Sequence, residues 1–106
     1  PQFPWKKLYD EYQIGMWYDE AAKQNLLTSA QTDVSTRYND SPFIFLVQTA
    51  LQKFGYEIYP NGKWDDATKK TIEAFQYHFR PQNYDGIMDA ETWAILQALN
   101  QKYPTK

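Results

Sequence analysis

The sequence predicts an all-α fold: a compact three-helix domain preceded by an N-terminal helical extension and a linker. Two observations carry this. Apolar residues recur at i, i+3, i+4 and i+7 between Asp or Ser start signals and Gly stop signals. The second part of the chain also repeats itself. "ALQ" at 50–52, "AFQ" at 74–76 and "ALN" at 98–100 are spaced by 24 residues, and "NGKWDDAT" at 61–68 and "DGIMDAET" at 85–92 share [ND]-G-x-x-D-x-x-T at the same spacing. A repeat in two features at one period marks a supersecondary unit used twice.

"FPWKKLYDEYQIG" places Trp5, Leu8, Tyr9 and Tyr12 on one helix face, with Pro4 suited to the start and Gly15 to the stop. "YDEAAKQNLL" reads as a second, short helix with Asp19 as N-cap and Ala22, Leu26 and Leu27 facing inward. "TSAQTDVSTRYND" is polar and rich in Ser and Thr, the best linker in the chain. In "DSPFIFLVQTALQKFGY", Asp40 or Ser41 caps, Pro42 opens the helix and Gly55 closes it; Phe43, Leu46, Val47, Ala50, Leu51 and Phe54 make the apolar stripe. Helices at about 65–79 and 89–101 complete the set. Gly62 and Gly86 suit the positive φ of tight turns, and Asp65 and Asp89 then cap the helices that follow. Leu51, Phe75 and Leu99, equivalent in the repeat, are expected at the centre of one core.

At 106 residues the chain is one domain, or one small domain with an extension. Residues 41–106 carry seven basic and seven acidic side chains, and residues 1–40 carry four and six. A nucleic-acid binder or a polybasic membrane anchor needs a basic stripe, so neither is favoured. There is no cysteine, and no apolar run approaches a membrane span. The start at Pro1, without Met or a signal-like apolar core, leads us to expect a processed chain or an excised fragment.

The segment "VQTALQKFGYEIYPNGKWDDATKKTIEAFQYHFRPQNYDGIMDAETWAIL" resembles the peptidoglycan-binding domain, a helical accessory module of bacterial wall enzymes. "LQKFGY", "NGKWDDAT", "AFQ" and "YDGIMDAET" carry the match in order and spacing, and Asp66 departs from it where the family often has glycine. "FPWKKLYDEYQIG" is similar to the end of the catalytic domain of zinc N-acetylmuramoyl-L-alanine amidases, and "AFQYHFRP" to the binding module of that subset. The resemblance implies a closing helical part of an amidase domain at 1–27, a linker at 28–40 and a peptidoglycan-binding domain at 41–103. It implies zinc for the full-length amidase, but the family's zinc histidines are absent and no cofactor or catalytic residue is carried over to this chain. The implied partners are peptidoglycan glycan or stem peptide and the upstream catalytic domain, in a bacterial envelope and most naturally the periplasm. The alternative role is a structural module that docks on the catalytic domain without binding wall.

His78 is the only histidine, and a catalytic zinc needs about three protein ligands. The plainer reading, favoured here, is a histidine at a helix C-terminus supported by the macrodipole. Aligned as a calcium loop, "NYDGIMDAET" has Pro81 and Thr92 where carboxylates are required, so that reading fails. Asp65, Asp66, Asp85, Asp89 and Glu91 suit caps and first turns, where the dipole favours the ionised form, better than a glycosidase acid and base. Arg80 either bonds helix-end carbonyls or grips a ligand carboxylate. Phe43, Phe54, Phe75 and Phe79 are core candidates, whereas Tyr56, Tyr59, Trp64, Tyr84 and Trp93 cluster at turns and helix starts, where rings can cover apolar sugar faces. Trp64 and Trp93 fit core rim and binding surface equally. The expected ligand-binding face gathers Tyr56, Asn61 and Trp64 from the first turn and Arg80, Asn83 and Tyr84 from the second, with His78 at its rim.

Overall fold

A computed structural model describes residues 3–104; Pro1, where the expected extension begins, lies outside the described residues. Five helices follow in order: α1 Trp5–Tyr12, α2 Glu20–Arg37, α3 Ser41–Phe54, α4 Asp66–Phe79 and α5 Ala90–Lys102. The fold is all-α, with no strand among the described residues.

Helix α1 is amphipathic but contributes no buried residue. It ends two residues earlier than Gly15 suggested: Gln13 takes the left-handed conformation (φ 56°), its N–H bonds the Tyr9 carbonyl at 2.9 Å, and the Ile14 N–H bonds the Leu8 carbonyl at 3.4 Å. Tyr12, expected on one helix face with Trp5, Leu8 and Tyr9, is exposed.

Helix α2 corrects the linker expectation. Asp19 caps it through Ala21 N–H at 3.1 Å, but the helix continues to Arg37 through the Ser/Thr-rich stretch. The hydroxyls of Ser29, Thr32, Ser35 and Thr36 bond back to carbonyls three or four residues earlier, so they leave the helix ladder intact. Lys23, Leu27, Ala30 and Val34 meanwhile form a stripe at helical spacing. That stripe lies along α5, where Ala30 is fully buried and allows close approach.

Helix α3 begins after Asp40, whose side chain makes no capping bond; the Ser41 hydroxyl instead donates to the Gly62 carbonyl at 3.1 Å. Phe43, Val47 and Leu51 are buried as expected, but Leu46 is exposed and Ile44 is buried in its place. Gly55, at φ 131°, closes the helix through the Leu51 and Gln52 carbonyls.

Helices α4 and α5 begin in nearly the same way. Asp65 accepts from Thr68 N–H at 2.9 Å and Asp89 from Thr92 N–H at 2.8 Å. Gly62 and Gly86 turn at φ 76° and 79°. Asp66 is the first, exposed residue of α4, just past the turn.

Leu51, Phe75 and Leu99 are all buried in one core. That core also takes Ala30 from α2 and Trp17 from the α1–α2 connection, whose ring lies 5.4 Å from Phe79. It is therefore wider than the three repeated helices alone.

Candidate functional site

The two repeated turns are held by two buried glutamines. Gln48 of α3 accepts from Asn61 N–H and Gly62 N–H, each at 2.9 Å, and its amide nitrogen faces Asn61 Oδ1 at 3.0 Å, the Lys63 carbonyl at 2.9 Å and Thr68 Oγ1 at 2.9 Å. Gln76 of α4 repeats the device: it accepts from Gly86 N–H at 2.9 Å and donates to the Ile87 carbonyl at 2.8 Å and Thr92 Oγ1 at 3.1 Å. Each glutamine thus satisfies turn amides that would otherwise be buried without partners.

The turns are 24 residues apart, but these glutamines are 28 apart. The "ALQ/AFQ" repeat pairs Gln76 with Gln52, which is exposed and donates only to the Ile58 carbonyl. A four-residue slip is about one helical turn, so it returns to the same face and left the apolar match unchanged. A search for buried-glutamine equivalents at 28 as well as 24 residues was the signal that could have found Gln48.

Tyr38, just past α2, joins the two turns. Its carbonyl accepts from Trp64 Nε1 at 2.8 Å, its ring stacks on Trp64 at 5.0 Å, and its hydroxyl reaches the Met88 backbone. Burial outweighs that backbone bond and raises the Tyr38 hydroxyl pKa.

The six expected contact residues do not form one patch. Asn61 and Trp64 lie beside the starts of α3 and α4. Tyr56 lies at the far end of α3, where its N–H bonds the Leu51 carbonyl and its ring meets Phe54 and Phe75. Burial pushes its hydroxyl up to about 12. Arg80 lies at the far end of α4, ~20 Å from Trp64 by helix rise. Asn61 is tied to Gln48 and donates to Asp65 at 2.8 Å. With Thr68 first and Asn61 second, these bonds bring the Asp65 carboxyl down to about 2.

Arg80 resolves differently from either expectation. It is buried, and its guanidinium reaches Asp89 at 2.6 Å and Thr92 Oγ1 at 2.9 Å, with Glu91 at 3.6 Å. Lys23 of α2 approaches the same Glu91 at 2.8 Å. Arg80 therefore joins the end of α4 to the start of α5. Asn83 and Tyr84 remain exposed, and Tyr84 stands edge-on to Tyr77 at 5.0 Å. Tyr59 is exposed, whereas Trp93 is buried in the core.

His78 sits in the last turn of α4, between Trp5, stacked at 4.5 Å, and Phe79 at 4.3 Å. Burial lowers its pKa. It borders a groove of about 1250 Å³ between α1 and the body, whose lining also includes Arg80 and Glu91. Among the described residues, no three of His, Cys, Asp and Glu come together as metal ligands. No helix among the described residues is long and apolar enough to cross a membrane.

A family model described as "Putative peptidoglycan binding domain" matches residues 40–96. A curated relative, N-acetylmuramoyl-L-alanine amidase AmiD of Escherichia coli (strain K12), is 36% identical over 103 residues, 97% of this chain and 34% of the relative. The crystal structure of AmpDH3 from Pseudomonas aeruginosa superposes with a TM-score of 0.74 at 41% identity, covering 96% of this chain and 37% of that one. The E. coli AmiD complex with anhydro-N-acetylmuramic acid-L-Ala-D-gamma-Glu-L-Lys gives 0.73 at 33% identity, covering 98% and 37%. The chain thus spans about a third of the length of these relatives.

Proposed function

We propose a function from one premise: the chain belongs to the peptidoglycan-binding domain family. It binds bacterial peptidoglycan and tethers a wall N-acetylmuramoyl-L-alanine amidase to its substrate. The observation that carries this reading is the family match over 40–96, the stretch in which both glutamine-held turns lie. Linked binding raises the local substrate concentration for a catalytic domain without taking part in its chemistry. AmiD and AmpDH3, both resolved with muramyl peptides, support wall peptide and glycan as the ligand class.

The finer assignment is a three-helix binding unit at 41–103, preceded by the closing part of an amidase domain at 1–27. Residues 28–40 connect them, largely as helix. The upstream catalytic domain is the partner, and the location is the bacterial envelope, on the periplasmic side. Asn83 and Tyr84, with Tyr77 beside them, are the ring-and-amide contacts of the binding face. Asn61 and Trp64 form a second contact region, while Tyr56 and Arg80 hold the helix ends in place.

The 106-residue chain should be retained by purified sacculi, and Tyr84→Ala should reduce retention while Tyr59→Ala, on another loop, does not. Because rings and amides rather than charge are used, retention should change little across a salt series. Absence of retention of the unaltered chain, or its collapse in moderate salt, would remove this reading. This chain works without a metal of its own, so thermal melts with and without a chelator should superimpose; a lower Tm with chelator would show a metal site.

A further inference from the structure

Asn61–Gly62 is the only Asn-Gly pair in the chain, and it makes the first of the two repeated turns. Such a pair carries its own reaction. The glycine nitrogen, once its proton has passed to a solvent base, attacks the asparagine side-chain carbonyl carbon, with no Cβ on the glycine to obstruct it. The new N–C bond closes a succinimide ring while the Asn61 Cγ–Nδ2 bond breaks, and the departing nitrogen takes a proton from water and leaves as ammonia. One water then opens the ring to aspartate or isoaspartate. Water enters, ammonia leaves, and nothing is oxidised or reduced. Asparagine is accordingly counted among the thermolabile residues.

Here both reacting groups are pinned. Gly62 N–H is buried and donates to Gln48 Oε1 at 2.9 Å. The Asn61 carboxamide is fixed on both sides: its oxygen accepts from Gln48 Nε2 and from Lys63 N–H, each at 3.0 Å, and its nitrogen donates to Asp65 at 2.8 Å. Asn61 is itself exposed, so the restraint is this bonding and not the exclusion of water. We infer that Asn61 is a site of spontaneous deamidation held closed by Gln48, and that its conversion to aspartate loosens the start of α4. The loosening follows from the cap. Asp65 has neutral partners, and Thr68 first and Asn61 second keep its carboxyl at about 2. Deamidation puts a second carboxylate where the Asn61 donor stood, and two like charges in contact oppose ionisation of both. The second turn shows what an aspartate at this place requires. Asp85 stands where Asn61 does, and there the capping Asp89 is bonded by the Arg80 guanidinium at 2.6 Å. Isoaspartate is worse still, because the main chain then runs through the former side chain and the Asn61 and Gly62 N–H groups no longer share one Gln48 oxygen.

Neither the reaction nor its restraint rests on wall binding. The test follows residue 61 by peptide-mapping mass spectrometry, with isoaspartate assayed separately, while the 106-residue chain is incubated in mildly alkaline buffer. In guanidinium chloride, where the turn is open, conversion should run at least about tenfold faster than in the folded chain, the factor that one strong neutral hydrogen bond supplies. Gln48→Met, shown to be folded by circular dichroism, should bring the rate in buffer up toward the denatured one. Gln76→Met, which loosens the other turn, should leave it unchanged. Asn61→Asp, the product made directly, should raise the Asp65 pKa, read from its carboxyl carbon shift by NMR. In the unaltered chain the Gly62 amide proton should exchange slowly with solvent. No conversion in denaturant, or equal conversion in buffer and denaturant, overturns the proposal. Equal rates in the two glutamine variants overturn the role of Gln48, and so does a Gly62 amide that exchanges as fast as in the denatured chain, whether or not Gln48→Met folds. An unmoved Asp65 pKa in Asn61→Asp overturns the loosening of α4.

Discussion

At the scale of single residues, buried polar side chains carry the specificity of this fold. Gln76 satisfies the Gly86 N–H, the Ile87 carbonyl and Thr92 at once, and its Gly86 and Thr92 contacts are buried from water. Gln76→Leu keeps the volume but strands those groups, so a loss of about 2–4 kcal/mol is expected on urea denaturation. Gln52→Leu, at the exposed position matched by the simple repeat, should change stability by no more than ~0.5 kcal/mol. Equal effects of the two substitutions would show that the glutamine network is not what holds the turn. The cap next door follows the same logic: Asp65 gains from Thr68 and Asn61 only while ionised, which is why its carboxyl sits at about 2.

At the scale of elements, α1 is the least integrated piece. It buries no residue of its own and docks mainly through Trp5 on His78 and Tyr9 beside Lys102, whose amine reaches the Tyr9 hydroxyl at 2.6 Å. Stacking under Trp5 desolvates His78 and lowers its pKa, so the folded state holds fewer protons than the unfolded one. The sign follows: this contribution is present above the unfolded value of about 6.5 and is lost as pH falls through the folded value. Trp5→Ala should therefore raise the His78 pKa toward its ordinary value, read from its ring proton shifts by NMR. Stability of the variant should also fall less steeply between neutral and mildly acidic pH. An unmoved His78 pKa would mean that the α1 contact does not control its solvation.

At the scale of the whole molecule, one core joins the repeated helices to α2 and the Trp17 segment. Phe75 is at its centre, 5.0 Å from Phe79 and 6.2 Å from both Phe54 and Tyr56. Phe75→Ala should cost about 3–5 kcal/mol, and the loss should appear in one cooperative transition rather than two. A loss below ~1 kcal/mol in chemical denaturation would contradict its central place. Because α2 lies along α5, Ala30→Leu should also destabilise the molecule, by about 1–3 kcal/mol through overpacking. Were 28–37 a detached linker, that substitution would be silent.

Local rules already present in the sequence determined the all-α class, the α1 and α3–α5 spans, the Gly62 and Gly86 turns, the Asp65 and Asp89 caps and the buried places of Leu51, Phe75 and Leu99. Those features follow from periods of three to four residues and from the φ/ψ range of single residues, both readable over a short window. Only tertiary structure decided that the Ser/Thr-rich stretch is helix, since its few apolar positions count only when α5 lies against them. The same holds for Gln48, Arg80 and His78. Their partners come from another helix or turn, 9 to 20 residues away for the first two and 73 away for Trp5 on His78. Whether a polar side chain is buried depends on what packs over it, and local periodicity carries no record of that.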